Sequence, residues 1–287
     1  MTTIDLTHTS AIPLATTTAR PPGRLAAYRT LVRRRFALSA RTPREILVPL
    51  FTPVLFALVI APALDSIGGS IPGIDYMSFA AIGTAALLIP LNTMFAGIGV
   101  LVDRQSGARR DQLAAPIDRS LIVLANLTVA VAVTALQVVV LVGASVLRGA
   151  ELQTSAGHVA WFVVAASGLA VGMYGIAEAL AAKIPTVEEY TGALAPIAIA
   201  PWFFAGSLFP IGAMPAALTA VGKVLPLTHA LALMRYGLVD PHAQGLHDIW
   251  GMSSPTAMAA LSLAVVLAFA AAALGLGLRV FRRTAVR

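Results

Sequence analysis

The sequence predicts an all-α, polytopic membrane protein with six transmembrane helices, an N-terminal amphipathic helix and short extracellular helices before the last span. Three observations predict this class. Hydrophobic residues make up 58% and charged residues only 11% of the 287 residues, whereas soluble chains carry about 25% charged residues. Several uncharged runs reach or exceed the roughly 20 residues that a membrane-spanning helix needs. Lysine and arginine are also distributed unevenly between these runs.

The apolar runs and the charges between them predict the spans and their orientation. The six predicted spans are residues 46–64, 78–101, 120–147, 158–182, 190–210 and 257–278. The segments on the side of the two termini hold 17 Lys and Arg residues, and those on the opposite side hold 3. Because positively charged segments remain in the cytoplasm, we expect a multi-pass protein of the cell membrane with both termini cytoplasmic.

These assignments divide the chain into four parts. The first 22 residues are rich in threonine and lack the apolar core of a secretory signal, so residues 1–24 are expected to be a disordered cytoplasmic tail. An amphipathic helix over residues 25–45 precedes the six-helix membrane domain, residues 46–282. This domain includes a cytoplasmic loop, residues 102–119, and an extracellular helical segment, residues 211–256. Residues 283–287 form a second cytoplasmic tail.

The amphipathic helix shows the pattern of a helix that lies in the membrane interface. Tyr28, Val32 and Phe36 fall on one side, and Arg33 lies elsewhere on the circumference, as in helices that bind anionic headgroups. Arg35 interrupts the apolar side, where a snorkelling side chain is expected. An equally simple interpretation is a basic stop before the first span.

The loop over residues 102–119 reads VDRQSGARRDQLAAPIDR and is a charged island between two uncharged runs. Leu113 and Ile117 recur at helical spacing, which predicts a short amphipathic helix that touches another surface. Pro116 breaks this helix, because its ring removes a backbone donor. The surrounding charged residues are Arg104, Arg109, Arg110, Asp111 and Arg119. The alternative is a solvated loop that only maintains the topology.

The segment between the fifth and sixth spans is apolar but interrupted. Two short helices, at about 215–224 and 227–238, are expected to dip into the outer leaflet or to cap an opening there. Pro215 suits the first position of a helix, where its missing N–H is not needed. The residues that break the apolar pattern are Pro210, Pro215, Pro226, Lys223, His229 and Arg235.

No catalytic constellation is recognisable in the sequence. There is no cysteine, and no nucleotide-binding, metal-binding or nucleophile motif occurs. Glu178 is the one ionisable residue clearly inside a predicted span, and such residues are functional candidates. Because Lys183 follows near the cytoplasmic end, we favour a structural role in which Glu178 reaches water or this ammonium group.

Small residues predict close contacts between the spans. Gly168 and Gly172 form a small-xxx-small pair, with Gly175 nearly one turn further on, and Gly275 and Gly277 lie late in the last span. Such residues allow two helix backbones to approach each other.

The order of these elements resembles that of the ABC type-2 transporter permeases, in particular bacterial drug-resistance exporters of the daunorubicin-resistance type. The resemblance covers nearly everything after Arg24. It is most specific in two places. One is the charged loop, and the other is the segment before the last span, where the short motifs GSLFP, MP and PLT are followed by Arg235. The residues that carry it are Gly107, Leu113, Pro116, Arg119, Gly206, Phe209, Pro210, Pro215, Pro226, Thr228 and Arg235.

This resemblance implies a non-catalytic permease subunit of an ATP-driven exporter. It implies a separate cytoplasmic ABC ATPase that binds ATP, a second permease chain, identical or different, and contact with membrane lipids but not with nucleic acid. The permease chain itself would need no cofactor. The implied coupling residues are Arg104, Gly107, Arg109, Arg110, Asp111, Leu113, Pro116, Ile117 and Arg119. The implied extracellular gate contains Phe209, Pro210, Pro215, Pro226 and Arg235.

The predicted function is the export of an amphipathic drug or lipid-like substrate from the cytoplasm or inner leaflet. Two alternatives remain. An ion-coupled secondary transporter would be expected to carry more polar residues at mid-membrane. The other alternative is a membrane protein without transport activity, such as an assembly protein. Association with an ATPase would distinguish the exporter from both.

Overall fold

The computed structural model describes residues 23–41 and 75–284, together with isolated positions between these ranges. The predicted first span, residues 46–64, lies outside the described residues except at those positions, and so do most of the two predicted tails. The described part consists of α-helices and one 3₁₀ turn, Ile211–Ala213. The helices are α1 (Arg24–Arg41), α2 (Tyr76–Gln105), α3 (Ala108–Ala114), α4 (Ser120–Leu147), α5 (Ala156–Lys183), α6 (Val187–Phe204), α7 (Ala216–Val224), α8 (Pro226–Leu238), α9 (Gln244–Trp250) and α10 (Pro255–Thr284).

Four helices in the described ranges are long and apolar enough to cross a membrane: α2, α4, α5 and α10. Each has 28 to 30 residues and is therefore about 42–45 Å long, at roughly 1.5 Å per residue. That length exceeds the hydrocarbon thickness of about 30 Å. These helices match the second, third, fourth and sixth predicted spans, and the chain is a multi-pass membrane protein.

The predicted fifth span, residues 190–210, differs from the helix that forms there. α6 has 18 residues and ends at Phe204, so the loop through Pro210 is not helical. Glu188 and Glu189 occupy its first turn, where negative charge is favourable at the positive end of the helix dipole. α6 is not among the candidate spans, so the described residues do not establish six spans.

The segment after α6 contains the two predicted short helices. α7 and α8 meet at an angle of 83° and together are long and apolar enough to form one broken span. Pro215 lies one residue before α7, at its N-cap, rather than at its first position. Pro226 instead occupies the first position of α8, where a missing N–H costs no helical hydrogen bond.

α5 lies at the centre of the bundle and contacts α2, α4, α8 and α10. Its contact with α10 is the most extensive and depends on small residues, as the sequence predicts. A Cβ atom at Gly175 would collide with the backbone of Ala273, and a Cβ at Gly277 would lie 2.7 Å from the carbonyl oxygen of Gly175. By contrast, Gly275 has no atom within 4 Å of its Cβ position among the described residues.

Candidate functional site

The charged loop contains the short helix that the sequence predicts. α3 begins after Gly107, which adopts a left-handed conformation with a φ of 82°. Glycine suits this conformation because it has no Cβ atom. The helix ends at Ala114, two residues before Pro116. The loop therefore presents one short helix at the end of α2.

The apolar side of α3 packs on the chain's own helices. Leu113 and Ile117 are half-buried and contact an apolar cluster from α4, α5 and α10. The buried members of this cluster are Ile122, Val123, Leu127, Ala130, Tyr174 and Phe281. The apolar stripe therefore packs against the protein's own helices, and the opposite side of α3 is exposed.

Arg109 is also turned into the protein, although the sequence places it among the solvated charges of the loop. Its residue is 8% exposed. The guanidinium carbon lies 4.5 Å from the centre of the Phe281 ring, and a terminal nitrogen lies 3.3 Å from Thr284 Oγ1. Burial lowers the pKa of Arg109, an effect that the Glu178 carboxylate opposes and Arg104 reinforces. Arg109 therefore joins α3 to the end of α10.

Arg104 and Asp103 connect the same loop to two other elements. Arg104 donates to the carbonyl oxygens of Ala181 at 3.0 Å and Ile184 at 2.6 Å, at the end of α5. These carbonyls belong to the last turn of a helix and its flank, which lack helical partners. Asp103 accepts from Arg34 of α1 at 3.4 Å. The loop is therefore fixed to α1, α5 and α10 together.

The outward surface of the loop is formed by the remaining predicted residues. Arg110 and Asp111 lie next to each other on the exposed side of α3. An open groove of about 440 Å³ separates α3 from α1 and has Asp111 on its rim. The exposed members of the predicted coupling set are Arg110, Asp111, Pro116 and Arg119.

α1 is fixed along one side and exposed along the other. The hydroxyl groups of Tyr28 and Thr128 are 2.6 Å apart. Arg24 and Asp118 form an exposed ion pair at 2.9 Å. The pKa of Asp118 is lowered, mainly because its carboxylate accepts hydrogen bonds from the Ser120 hydroxyl and backbone N–H.

The apolar residues predicted for α1 divide between these two sides. Val32 is half-buried, whereas Phe36 is 55% exposed and Arg33 is exposed. Arg35, expected to interrupt the apolar side, is directed inward, and its guanidinium lies 3.9 Å from Asp103. A helix with an exposed phenylalanine and an exposed arginine agrees with the predicted interface helix, whose place in a membrane remains a prediction.

Glu178 is buried and does not reach Lys183. Its residue is 1% exposed, and Oε2 accepts a hydrogen bond of 2.9 Å from the Tyr174 hydroxyl. Lys183 is exposed, and five helical residues place the two side chains roughly 140° apart around α5. The expectation that Glu178 reaches water or this ammonium is therefore wrong. Oε1 has no hydrogen-bond partner in the part of the chain that the structure describes.

At the opposite end of the bundle, Arg235 of α8 holds the loop that follows α6. Its terminal nitrogens donate to the carbonyl oxygens of Gly206 at 2.7 Å and Ser207 at 2.8 Å. The guanidinium carbon lies 3.3 Å from the centre of the Phe79 ring in α2. Tyr76 also donates to the carbonyl oxygen of Leu208 at 3.1 Å. The start of α2, the loop and α8 are therefore joined through polar contacts.

The other predicted gate residues surround this contact. Phe209 is 47% exposed and Pro210 is half-buried. Pro215 and Pro226 precede or begin α7 and α8, so they determine where the chain turns. This places the five predicted gate residues in one region, at the end of α2 that is farthest from α3.

Three structurally important residues were not identified as such from the sequence. Arg35 could have been found, because Ala27, Leu31 and Arg35 recur at i+4 spacing and share the inward side of α1. Phe281 and Asp103 carry no comparable signal. Their roles depend on which helix lies beside them, and that depends on the tertiary fold.

Within the described ranges, the fold and these two ends define a helical multi-pass membrane protein with a fixed charged loop at one end and a broken helix pair at the other. The sequence model of the family described as ABC-2 type transporter matches residues 26–239. This chain therefore belongs to the ABC-2 type transporter family, which supplies the membrane component of transport systems. The match extends from α1 through α8. No curated protein matches the chain.

Proposed function

We propose that this chain is the permease subunit of an ABC exporter that moves an amphipathic drug or lipid-like substrate out of the cytoplasm or inner leaflet. A separate ABC ATPase binds and hydrolyses ATP, and the permease chain is not catalytic. The observation that carries this proposal is the attachment of α3. Its apolar side and Arg109 are fixed to the membrane helices, whereas Arg110 and Asp111 face outward.

The contacts of the loop supply a route for mechanical coupling. Displacement of α3 by a partner acts on α10 through Arg109. The same displacement pulls on the adjoining end of α2, which acts on α5 through Arg104 and on α1 through Asp103. Because packed helices move as rigid bodies, a small shift at the loop changes how the spans lie against each other. ATP drives this change only if the ATPase binds the two conformations differently when nucleotide is present.

The far end of the proposed path is the region around Arg235. The loop held by this arginine and the bent pair α7–α8 form an extracellular gate, which opens when the contacts with Phe79 and the start of α2 separate. The positive-inside distribution of charge supports cytoplasmic termini and an extracellular gate. A second permease chain, identical or different, completes the path.

The test exchanges the two outward charges of α3 in the variant R110E/D111R. We expect normal membrane insertion but loss of ATPase co-purification and of ATP-dependent export, because the exposed charges are reversed while the buried side of α3 is unchanged. The matched control is R148E/E151R, which reverses two exposed charges beyond the other end of α4. Export and co-purification at the unmodified level in the α3 variant would refute the proposed docking site.

An ion-coupled secondary transporter is the second candidate, and one observation favours it. Glu178 is a buried carboxylate inside a span, with one oxygen that lacks a hydrogen-bond partner among the described residues. Such a group suits a proton or cation relay. Transport driven by an ion gradient in vesicles that contain no ATPase would favour this candidate. If neither ATP-driven nor ion-driven transport is observed, the result would favour an assembly protein.

A further inference from the structure

A partly enclosed cavity lies at the proposed gate, at the opposite end of the protein from α3. Its volume is about 190 Å³, compared with the roughly 30 Å³ that a water molecule takes in the liquid. α2 contributes Phe79, and the loop after α6 contributes Pro210. The polar lining comes from α8, α9 and the turn between them, and consists of Thr228, Arg235, Asp240, Gln244 and Asp248.

Three buried polar atoms on this lining have no hydrogen-bond partner within the described ranges. They are Thr228 Oγ1, Arg235 Nε and Asp240 Oδ1. The three residues are 2%, 5% and 2% exposed. Buried polar groups in proteins are nearly always hydrogen-bonded. Three exceptions around one cavity therefore indicate an occupant that supplies both hydrogen-bond donors and acceptors.

The neighbouring contacts fix these atoms. Asp240 Oδ2 accepts from the backbone N–H of Gly245 at 3.0 Å, so Oδ1 is the oxygen that remains for a ligand. The terminal nitrogens of Arg235 donate to backbone carbonyls of the loop after α6, so its Nε–H remains as a donor. Asp248 is half-buried and adds a second carboxylate to the lining.

The charges on this lining select the class of ligand. Two carboxylates attract a cationic group, and an ammonium group can donate to both of them. The remaining guanidinium N–H and hydroxyl donors suit an oxyanion. The lining has two carboxylates, Asp240 and Asp248, but only one guanidinium, Arg235. This excess of negative charge favours an occupant with an ammonium group over water alone.

We propose that this cavity binds a small zwitterion that carries one ammonium group and one oxyanion. The ammonium group donates to Asp240 Oδ1 and Asp248, and the oxyanion accepts from Arg235 Nε and the Thr228 hydroxyl. The headgroup of phosphatidylethanolamine and a free amino-acid-like solute both have this chemistry. Phe79 is the fourth residue of α2, and because a helix of 30 residues is longer than the hydrocarbon core is thick, we expect its first turn to lie at the level of the lipid headgroups. The proposal goes beyond the transport function, because binding requires neither ATP nor a partner.

Calorimetric titration of the purified full chain in phosphatidylcholine nanodiscs tests the proposal. The ligands are O-phosphoethanolamine, ethanolamine and inorganic phosphate. We expect phosphoethanolamine to bind and the two half-ligands to bind roughly tenfold or more weakly, since each loses one set of charged hydrogen bonds.

Two variants identify the cavity as the binding site. Asp240→Asn retains an acceptor for the Gly245 N–H but replaces the available carboxylate oxygen with an amide, so affinity should fall roughly tenfold or more. Thr228→Val removes the hydroxyl at nearly constant volume and provides a second test if the first variant unfolds. Asp118→Asn, at the other end of the protein, is the matched control and should bind as the unmodified chain does.

A comparison of nanodiscs distinguishes the two sources of the ligand. If the lipid headgroup is the occupant, phosphatidylethanolamine should raise the thermal midpoint of the unmodified chain but not of Asp240→Asn. Binding of free phosphoethanolamine without this lipid effect would identify a soluble ligand. A cavity that holds only water, with no response to any solute or lipid, would overturn the proposal. Unchanged binding in folded Asp240→Asn and Thr228→Val would overturn it as well.

Discussion

Arg109 and Arg235 are both buried arginines that lie beside a phenylalanine ring, but they join different elements. Arg109 contacts Phe281 and Thr284 and so connects the charged loop to α10. Arg235 contacts Phe79 and donates to backbone carbonyls of the loop after α6. A desolvated cation–π contact contributes about 2 kcal/mol or more. At each end of the bundle, a buried arginine therefore helps to hold a loop against a membrane helix.

Glu178 permits a prediction at the same scale. Glutamine at this position retains an oxygen that accepts from the Tyr174 hydroxyl and removes the ionisable carboxyl group, so E178Q should insert and export as the unmodified chain does. Alanine leaves the tyrosine hydroxyl unpaired, so E178A should lower the free energy of unfolding by roughly 1–3 kcal/mol. Thermal unfolding in detergent and transport in vesicles provide the measurements.

The two substitutions also separate a structural role from an ionic one. Loss of transport in a stable, correctly inserted E178Q variant would show that the charge itself is needed. That result would favour the ion-coupled candidate over a structural role for Glu178.

Single residues were the hardest feature to predict from the sequence. The sequence identifies Glu178 as an intramembrane charge, but the partner proved to be Tyr174, one turn earlier on the same helix, instead of Lys183. Arg109 and Arg110 are adjacent and identical in type, yet one is buried and the other exposed. The i+4 spacing of Arg109 and Leu113 places Arg109 on the apolar side of α3, whereas Arg110 lies about 100° further around the helix. The contact of Arg109 with Phe281 depends on the position of α10, which no local pattern gives.

Among the helices, the α5–α10 contact shows how small residues determine packing. The α5 backbone lies against α10 at Gly175, where any side chain would meet the backbone of Ala273. Backbone atoms cannot rotate away as a side chain can. The two helices must therefore separate if a larger residue is introduced.

This contact predicts different effects for two glycine substitutions. Gly175→Ala should lower the free energy of unfolding by about 1–3 kcal/mol, as overpacking of a tight contact does. Gly275→Ala is the control, because its Cβ position has no neighbour within 4 Å among the described residues, and it should be neutral or stabilising. Thermal unfolding followed by tryptophan fluorescence compares the two. Equal midpoints would contradict this packing.

The helices themselves were largely predictable. Long apolar runs predict α2, α4, α5 and α10, because a helix over each run is longer than the hydrocarbon core is thick, and prolines predict the break between α7 and α8. The extent of α6 was not predicted, since the apolar residues that follow Phe204 suggest a longer helix. Those residues instead form a loop whose backbone carbonyls accept from Arg235, a contact made by a residue about 30 positions later in the chain.

For the molecule as a whole, the described helices pack into one bundle that has a different structural feature at each end. At one end, α3 is joined to α10 through the buried Arg109, and the adjoining end of α2 is joined to α1 and α5 through Asp103 and Arg104. At the other, a broken helix pair and a clamped loop close against the start of α2. This separation of an outward-facing loop from the proposed gate suits a permease that is moved by another molecule, which is the central claim about function.

Reconstituted transport tests this claim most directly. The chain is incorporated into liposomes with and without the ATPase that co-purifies from native membranes, and release of a fluorescent amphiphile is followed after ATP is added on the side of α3. We expect transport only when both proteins and ATP are present, and none with the permease alone. Full transport by the isolated chain, or ATP hydrolysis by it, would contradict the account.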